Sequence, residues 1–163
     1  MALSISSPEL VDGQEIPRRF TADGKDLAPP LAWNDVPAGT KSLALVVDDP
    51  DAPDPAAPRA TWVHWVVYNL APEEFGLSEG GGPPPGAIEG KNDWGRTGYG
   101  GPNPPTGRHR YFFKLYALDR QLADLGACTK AELEAAMSGH VIEDAQLVVT
   151  YEKASGARRQ RAA

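Results

Sequence analysis

The stretch WVHWVVYNL, residues 62–70, decides the fold, because its valines and aromatic residues predict a buried β-strand. Two runs of similar character precede and follow it in the chain, SLALVVDDPDAP (residues 42–53) and HRYFFKLYALD (residues 109–119). Near one end, each run carries a polar residue whose burial is unfavourable unless it finds a partner. These residues are Asp49, His64 and His109. Their positions at the tips of core strands predict one shared polar pocket, where we expect the function to lie.

The remaining segments also predict strands, with one exception. A fourth strong run, AQLVVTYEK, covers residues 145–153, and weaker candidates cover residues 3–6, 14–20 and 31–33. The exception is a helix over residues 130–138, where Thr129 and Glu132 match a capping box and Gly139 ends the helix. Because the chain shows no repeats and no alternating strand–helix pattern, the predicted class is mainly β, with antiparallel strands and few short peripheral helices.

A segment rich in glycine and proline, residues 80–107, separates the second and third strong strands. It holds 10 of the 17 glycines and 6 of the 16 prolines, a composition that also suits a linker between two domains. However, it carries Trp94 and Tyr99, and the roughly 55 residues after it are few for a core of their own. We therefore predict an ordered loop over one end of a sheet. The predicted organisation is a single domain, residues 1–157, followed by a basic tail, residues 158–163.

Charge and composition argue against several classes of protein. The formal net charge of −6 argues against a general nucleic-acid binder, and the only basic cluster lies in the C-terminal tail. A lone cysteine, Cys128, precludes an internal disulfide and fits a reducing compartment. The N-terminus lacks the features of a signal peptide, and no run approaches the roughly 20 apolar residues of a membrane span. We expect a cytoplasmic protein without integral membrane association.

Alternation of side chains along the strands brings the polar residues toward one region. Four residues of the second strong strand are predicted to share one face: Trp62, His64, Val66 and Tyr68. Asp49 ends its strand and His64 nearly begins the next, so the two meet at one sheet end if these strands pair antiparallel. His109 starts its strand directly after the glycine- and proline-rich loop, which permits the same end. Alternation therefore allows the three residues to converge.

The three polar residues have the chemistry of an anion site. His64 and His109 offer N–H donors, and the carboxylate of Asp49 can fix the tautomer and charge of one imidazole. Phosphate or a carboxylate would suit such a pocket. The alternative is that each histidine is a satisfied core residue with no ligand.

Neighbouring residues supply walls for the same pocket. Gly100 and Gly101 allow close backbone approach and add N–H donors, and the prolines of GPNPP (residues 101–105) form rigid walls without donors. Tyr111 offers a hydroxyl, and Trp62 offers a flat apolar surface. A small anionic head with an apolar surround is the ligand that this combination favours.

Three blocks of the sequence resemble the signature motifs of one known family. DDPDAP (residues 48–53), WVHWVVYNL and GYGGPNPPTGRHRYFFKLYALD (residues 98–119) are similar to those of the phosphatidylethanolamine-binding proteins, also called Raf kinase inhibitor-like proteins. The resemblance spans about residues 20–153 and is greatest to the bacterial branch. It implies a large antiparallel Greek-key sheet packed on a smaller sheet. It also implies an edge pocket for phosphate, acetate or phosphorylated head groups such as phosphoethanolamine.

The resemblance further implies which residues bind the ligand. Carried over to this chain, the ligand-binding residues are Asp49, Ala52, Pro53, Trp62, His64, Gly101, Pro102, His109 and Tyr111. The family also leads us to expect a cis peptide bond before Pro53. This chain departs from bacterial relatives at Asn103, where they commonly carry cysteine, and in the insert of residues 54–60. Both departures would change the polarity of the pocket rim.

Other kinds of site fit the same residues less well. Asp49, His64 and His109 could form a two-histidine, one-carboxylate metal triad, but the resemblance argues against a bound metal. The aspartates of residues 48–54 lack the spacing and the glycine of an EF-hand. The sequence has no G-x-S-x-G motif, and Cys128 lies far in sequence from either histidine, so no activated nucleophile is evident. We therefore predict a non-enzymatic binding protein with no metal or cofactor.

The alternative function is an inhibitor or scaffold that acts through its surface, with the pocket as a regulatory input. The family includes inhibitors of kinases and of serine proteases, lipid head-group binders and plant flowering regulators, and a fold does not select among these. The resemblance thus implies a kinase or a protease as the partner of such an inhibitor. Bacterial relatives also imply a homodimer.

Overall fold

The computed structural model describes residues 2–153, which form two antiparallel β-sheets and one α-helix. The strands are β1 (Ser4–Ser6), β2 (Leu31–Asn34), β3 (Ser42–Ala52), β4 (Ala60–Leu70), β5 (Gly76–Leu77), β6 (Ile88–Glu89), β7 (Arg108–Leu118) and β8 (Val141–Glu152). The helix, α1, spans Lys130–Met137. The predicted basic tail, residues 158–163, lies outside the described residues, as does the end of the predicted domain.

The two sheets differ in size, and the larger one carries the central strands. Its order is β6-β4-β3-β7-β8, while the small sheet has the order β1-β2-β5. β3 pairs antiparallel with β4 on one side and with β7 on the other. The chain therefore leaves β4 and returns on the far side of β3, which is the long return connection of a Greek key. The predicted fold class, a large antiparallel Greek-key sheet packed on a smaller sheet, is confirmed.

Both faces of the large sheet are covered, which explains why β3 is almost continuously apolar. Leu43, Leu45 and Val47 pack in one cluster with the residues of the small sheet. Ala44 and Val46, which alternate with them, pack on the opposite face in a cluster that includes α1. A strand buried on both faces gains hydrophobic stabilisation from every side chain, so it shows no polar alternation.

The helix forms as its sequence predicts and is tied to the large sheet by an ion cluster. Thr129 and Glu132 form the predicted capping box, each side chain bonding the backbone N–H of the other. Lys130, the first helical residue, lies 2.7 Å from the buried Asp48 carboxylate of β3, which also binds Lys114 at 3.0 Å. No helix within residues 2–153 is long and apolar enough to cross a membrane.

One weak strand prediction is wrong, and one strong strand is longer than predicted. Residues 14–20 form no strand, because Arg18–Phe20 is a turn of 3₁₀ helix and only Glu15 bridges to Thr150. β8 begins at Val141 rather than at residue 145. Its first residues pair with the end of β7 but are mostly exposed, and exposed strand residues give a weak apolar signal.

The glycine- and proline-rich loop, residues 80–107, runs along β4. β6 lies within this loop and pairs with Val67 and Tyr68 of β4. Further along, the backbone N–H of Gly90 donates to the Val66 carbonyl at 2.8 Å. The loop is therefore hydrogen-bonded to the edge of the large sheet, as the prediction of an ordered loop requires.

Candidate functional site

A cavity of about 230 Å³ opens at the end of the large sheet where β3 ends and where β4 and β7 begin. Seven of the nine residues predicted for the site line it. They are Asp49, Ala52, Pro53, Trp62, His64, His109 and Tyr111. Antiparallel pairing places these strand ends side by side, because β3 runs opposite to both of its neighbours. The structure thus brings Asp49, His64 and His109 together in one cavity, as the alternation of side chains allowed.

A β-bulge in β4 turns His64 toward the cavity. Val47 pairs with Trp65 and Asp48 pairs with Val63, so His64 is the additional residue between two regular pairs. Such a bulge shifts the side-chain phase by one residue. The expectation that Val66 and Tyr68 share the face of His64 is wrong for this reason. Both pack in the α1 cluster on the opposite face of the sheet.

Asp49 and His109 form a buried pair on the cavity floor. Nδ1–H of His109 donates to Asp49 Oδ2 at 2.6 Å, and both side chains are almost fully buried. Nε2–H of His109 donates to the Thr106 carbonyl at 2.8 Å. Because both partners are acceptors, both nitrogens of the ring act as donors. Burial raises the pKa of Asp49, although the hydrogen bond from His109 acts in the opposite direction.

The end of β3 after Asp49 is held by a second carboxylate. The backbone N–H of Asp51 donates to Asp49 Oδ1 at 2.7 Å, so both carboxylate oxygens of Asp49 are engaged. Asp51 itself accepts two side-chain hydrogen bonds from Arg110, at 2.9 and 3.0 Å. These bonds hold the pKa of Asp51 below its usual range. The arrangement fixes the position of Asp49 relative to β7.

His64 is the second buried imidazole of the cavity and has a different environment. Its Nδ1 lies 2.7 Å from the Gly100 carbonyl, while the Gly100 N–H donates to the His64 carbonyl at 3.0 Å. The edges of Trp94 and Tyr111 pack around the ring, with centroids 5.1 and 5.2 Å away. Burial lowers the pKa of His64 from 6.5 to about 4, so the ring is neutral at physiological pH.

Tyr111 completes the polar floor. Its ring stacks on His109 at 6.4 Å and meets His64 edge-on. The side chain is 1% exposed, and burial raises its pKa far above the ordinary value. Tyr111 therefore keeps its hydroxyl proton and remains available as a hydrogen-bond donor.

No three histidine, cysteine, aspartate or glutamate side chains within residues 2–153 are arranged to hold a metal ion. In the cavity, Asp49 is occupied by His109 and by a backbone N–H, and His64 lies against aromatic rings. The arrangement can offer hydrogen bonds to a small polar group while its apolar rim excludes water from that group.

Comparison with known proteins identifies the family to which this arrangement belongs. A family model described as phosphatidylethanolamine-binding protein matches residues 6–152. The chain belongs to the phosphatidylethanolamine-binding protein family. Among its relatives, a UPF0098 protein of Methanothermobacter thermautotrophicus is 46% identical over 146 residues, which cover 87% of this chain and 93% of the relative.

Solved structures of family members have the same fold. A phosphatidylethanolamine-binding protein homologue from Chlamydia trachomatis is similar with a TM-score of 0.87 and 42% identity, over 94% of this chain and 99% of that chain. The Escherichia coli protein YbcL, described as a new member of the mammalian family, gives a TM-score of 0.85 and 30% identity. That match covers 94% of this chain and 100% of YbcL.

The position of the glycine–proline wall differs from the expectation carried over from the family. Gly101 and Pro102 do not line the cavity. Gly101 is buried, and its N–H donates to Asp26 Oδ1 at 2.7 Å, while the N–H of Gly100 is bound to the carbonyl of His64. Neither glycine N–H is thus free for a ligand in this structure. The expected cis bond between Ala52 and Pro53 is present.

Four cavity residues were not among the predicted site residues: Trp94, Asn103, Pro104 and Pro105. Trp94 packs edge-on against both Trp62 and His64, and it is 36% exposed at the rim. The GPNPP segment indicated a proline wall, but the wall lies toward its C-terminal end. In the sequence, the only indication for Trp94 was that it is an aromatic residue within a loop rich in glycine and proline.

Proposed function

We propose that this chain is a non-enzymatic binding protein whose cavity holds a small anionic group. Phosphate, acetate and a phosphorylated head group of the phosphatidylethanolamine kind are the ligands of this class. The observation that carries the proposal is the polar floor of one small cavity, where the Asp49–His109 pair lies beside the buried His64 and Tyr111. Few convergent polar groups within a mainly apolar wall are typical of a ligand site.

The size of the cavity supports a head group rather than a whole lipid. Pockets for drug-sized ligands enclose about 300–1,000 Å³, and this cavity of about 230 Å³ is smaller. Its rim combines Pro53, Pro104 and Pro105 with the rings of Trp62 and Trp94. A phosphorylated head would reach the polar floor while the groups attached to it remain at the aromatic rim.

The composition of the cavity supports binding rather than catalysis. Its lining residues include no serine, threonine, cysteine or lysine that could act as a nucleophile. Cys128 packs in the α1 cluster on the opposite face of the large sheet, and burial raises the pKa of its thiol. A thiol that is held protonated and away from the cavity is a structural residue rather than a reactive one.

Calorimetric titration with phosphate and with O-phosphorylethanolamine tests the proposal. We expect saturable binding by the wild-type protein, and loss of that binding in His64→Ala and in His109→Ala. His140→Ala is the matched control, because His140 lies at the end of α1 and pairs with Asp119 outside the cavity. Absence of binding in a wild-type protein shown to be folded by circular dichroism would contradict the proposal.

The surface-inhibitor alternative predicts a different result for the same variants. A kinase or protease partner that binds through the surface would still associate with His64→Ala and His109→Ala.

The homodimer stays a prediction that sedimentation of the full chain tests. We also propose a cytoplasmic location, supported by the single, buried and unpaired Cys128.

A further inference from the structure

The hydrogen bonds of His64 fix which of its ring nitrogens faces a ligand. The Gly100 carbonyl can only accept, so the proton of the neutral ring lies on Nδ1. Nε2 then carries a lone pair, and it has no hydrogen-bond partner among residues 2–153. The reciprocal bond from the Gly100 N–H to the His64 carbonyl holds this arrangement. His64 therefore presents an acceptor, rather than a donor, to the cavity.

The surroundings of His64 keep the ring neutral. His64 is only 3% exposed, and no carboxylate within residues 2–153 accepts a hydrogen bond from its ring. Asp48 of β3 and Asp93 of the loop favour the charged ring from a distance, and His109 of β7 opposes it. Burial is the largest effect and outweighs the two aspartates.

The remaining polar groups of the floor add no net positive charge. The Asp49–His109 pair is neutral overall, and its four polar side-chain atoms are all hydrogen-bonded within the protein. The Tyr111 hydroxyl is a neutral donor. On the cavity floor, an oxyanion would thus meet one donor from Tyr111 and the lone pair of His64 Nε2, while Asn103, which also lines the cavity, adds no charge. Two acceptors that face each other in a buried site repel unless a proton lies between them.

We propose that the cavity takes its anion together with one proton, which is held between His64 Nε2 and an oxygen of the ligand. This inference rests on the proposed function and narrows its ligand class. Phosphomonoesters and inorganic phosphate can carry the bridging O–H, whereas sulfate and phosphodiesters are fully ionised near neutral pH and lack it. The proton comes from solvent, and no covalent bond of the ligand forms or breaks. The preferred ligand is a phosphomonoester rather than the phosphodiester of an intact phospholipid.

Proton uptake on binding tests this inference directly in the wild-type protein. Because the second pKa of a phosphomonoester is about 6, O-phosphorylethanolamine is almost entirely dianionic at about pH 7.5. Calorimetry in two buffers that differ in ionisation enthalpy should therefore show uptake of about one proton per ligand. By linkage, the affinity should fall about tenfold for each pH unit above that pKa. Sulfate and dimethyl phosphate should bind about tenfold more weakly, or not at all, at matched ionic strength.

A matched pair of variants assigns the proton to His64. The amide of His64→Gln can turn an N–H toward a bare oxygen, so this variant should bind with little proton uptake and with reduced discrimination against sulfate. His140→Gln makes the same change outside the cavity and should keep the wild-type uptake. Wild-type binding without proton uptake, with sulfate as tight as the monoester, would overturn the inference while the proposed function stands. Absence of binding by every anion would overturn both.

Discussion

Asp49 connects the two halves of the cavity floor through its two carboxylate oxygens. One oxygen accepts from His109 on β7, and the other accepts from the backbone N–H of Asp51 on the same strand, β3. A charge-assisted bond between groups this deeply buried contributes to stability mainly because either group would be left unpaired without the other. The contact with Asp49 also sets the position of the His109 ring.

Replacement of Asp49 by asparagine should weaken both folding and ligand binding. Asp49→Asn keeps the shape but removes the charge that His109 meets at 2.6 Å. We expect the free energy of unfolding to fall by about 1–3 kcal/mol and the phosphate affinity to drop about tenfold. Urea unfolding and calorimetry measure the two effects. Asp35→Asn, at an exposed position with positive φ that asparagine tolerates, should change neither.

The depressed pKa of His64 predicts a loss of stability in acid. The unfolded chain binds a proton near pH 6.5, whereas the folded protein binds it only near pH 4. Protonation therefore favours the unfolded state, and stability that is present above pH 6.5 is lost as the pH falls toward about 4. For this single group the loss is on the order of 3 kcal/mol.

Urea unfolding across that pH range measures the contribution. His64→Gln should lose much less stability than the wild type as the pH falls, because glutamine does not titrate. Asp51 and Asp23, whose pKa values are lowered, also reduce stability in acid, but they do so in both proteins. His140→Gln should follow the wild type. Parallel pH profiles for the wild type and His64→Gln would show that folding does not lower the pKa of His64, and would contradict this prediction.

At the scale of elements, the four long strands of the large sheet were predictable, but β6 and the bulge at His64 were not. The apolar runs of β3, β4 and β7 and their polar tips follow from composition, and antiparallel pairing then brings the tips together. The bulge at His64 depends on how β4 pairs with β3, which no local pattern of residues reveals. Strict alternation consequently assigned Val66 to the wrong face.

Contacts that are distant in sequence explain the other differences at the site. Gly100 bonds His64 across 36 residues, and His109 bonds Asp49 across 60 residues. The sequence indicated that the glycines and prolines of residues 98–105 form a wall. Which of them face the cavity depends on Gly101, whose N–H is bound to Asp26 in another loop. Such long-range partners are specified by the whole fold and not by the segment itself.

Gly100 has a steric role within the loop element that a substitution can test. A Cβ at this position would lie 2.3 Å from the Trp94 ring and 2.7 Å from a second ring carbon. Gly100→Ala should therefore displace Trp94 from the cavity wall and destabilise the protein by about 1–3 kcal/mol. Tryptophan fluorescence reports the displacement, and urea unfolding reports the stability.

Gly82→Ala is the control for the same loop. A Cβ there meets nothing within 4 Å, so we expect a change in unfolding free energy below about 0.5 kcal/mol. Equal behaviour of the two alanine variants would contradict the packing of Trp94 on Gly100. In that case the aromatic rim would not depend on the conformation of the loop.

At the scale of the whole molecule, the cavity exists only when the sheets are assembled. Its floor combines β3, β4 and β7, and its rim comes from the loop of residues 80–107. The same strands form the core that joins the large sheet to the small one. The unfolded chain therefore lacks the site, and any ligand that occupies the cavity must stabilise the entire fold by mass action.

The last prediction is a rise in global stability with O-phosphorylethanolamine. At about 100 times Kd, the ligand should add about 2.7 kcal/mol to the free energy of unfolding, which for about 150 residues corresponds to a rise in Tm of about 5–10 °C. Scanning calorimetry should show one transition that moves as a unit, because the site spans the large sheet. His109→Ala, and the wild type with sodium chloride at the same ionic strength, should show no such rise. An equal rise in His109→Ala would place the ligand outside the cavity, because in that variant the Asp49 carboxylate has lost its partner and should repel an anion bound beside it.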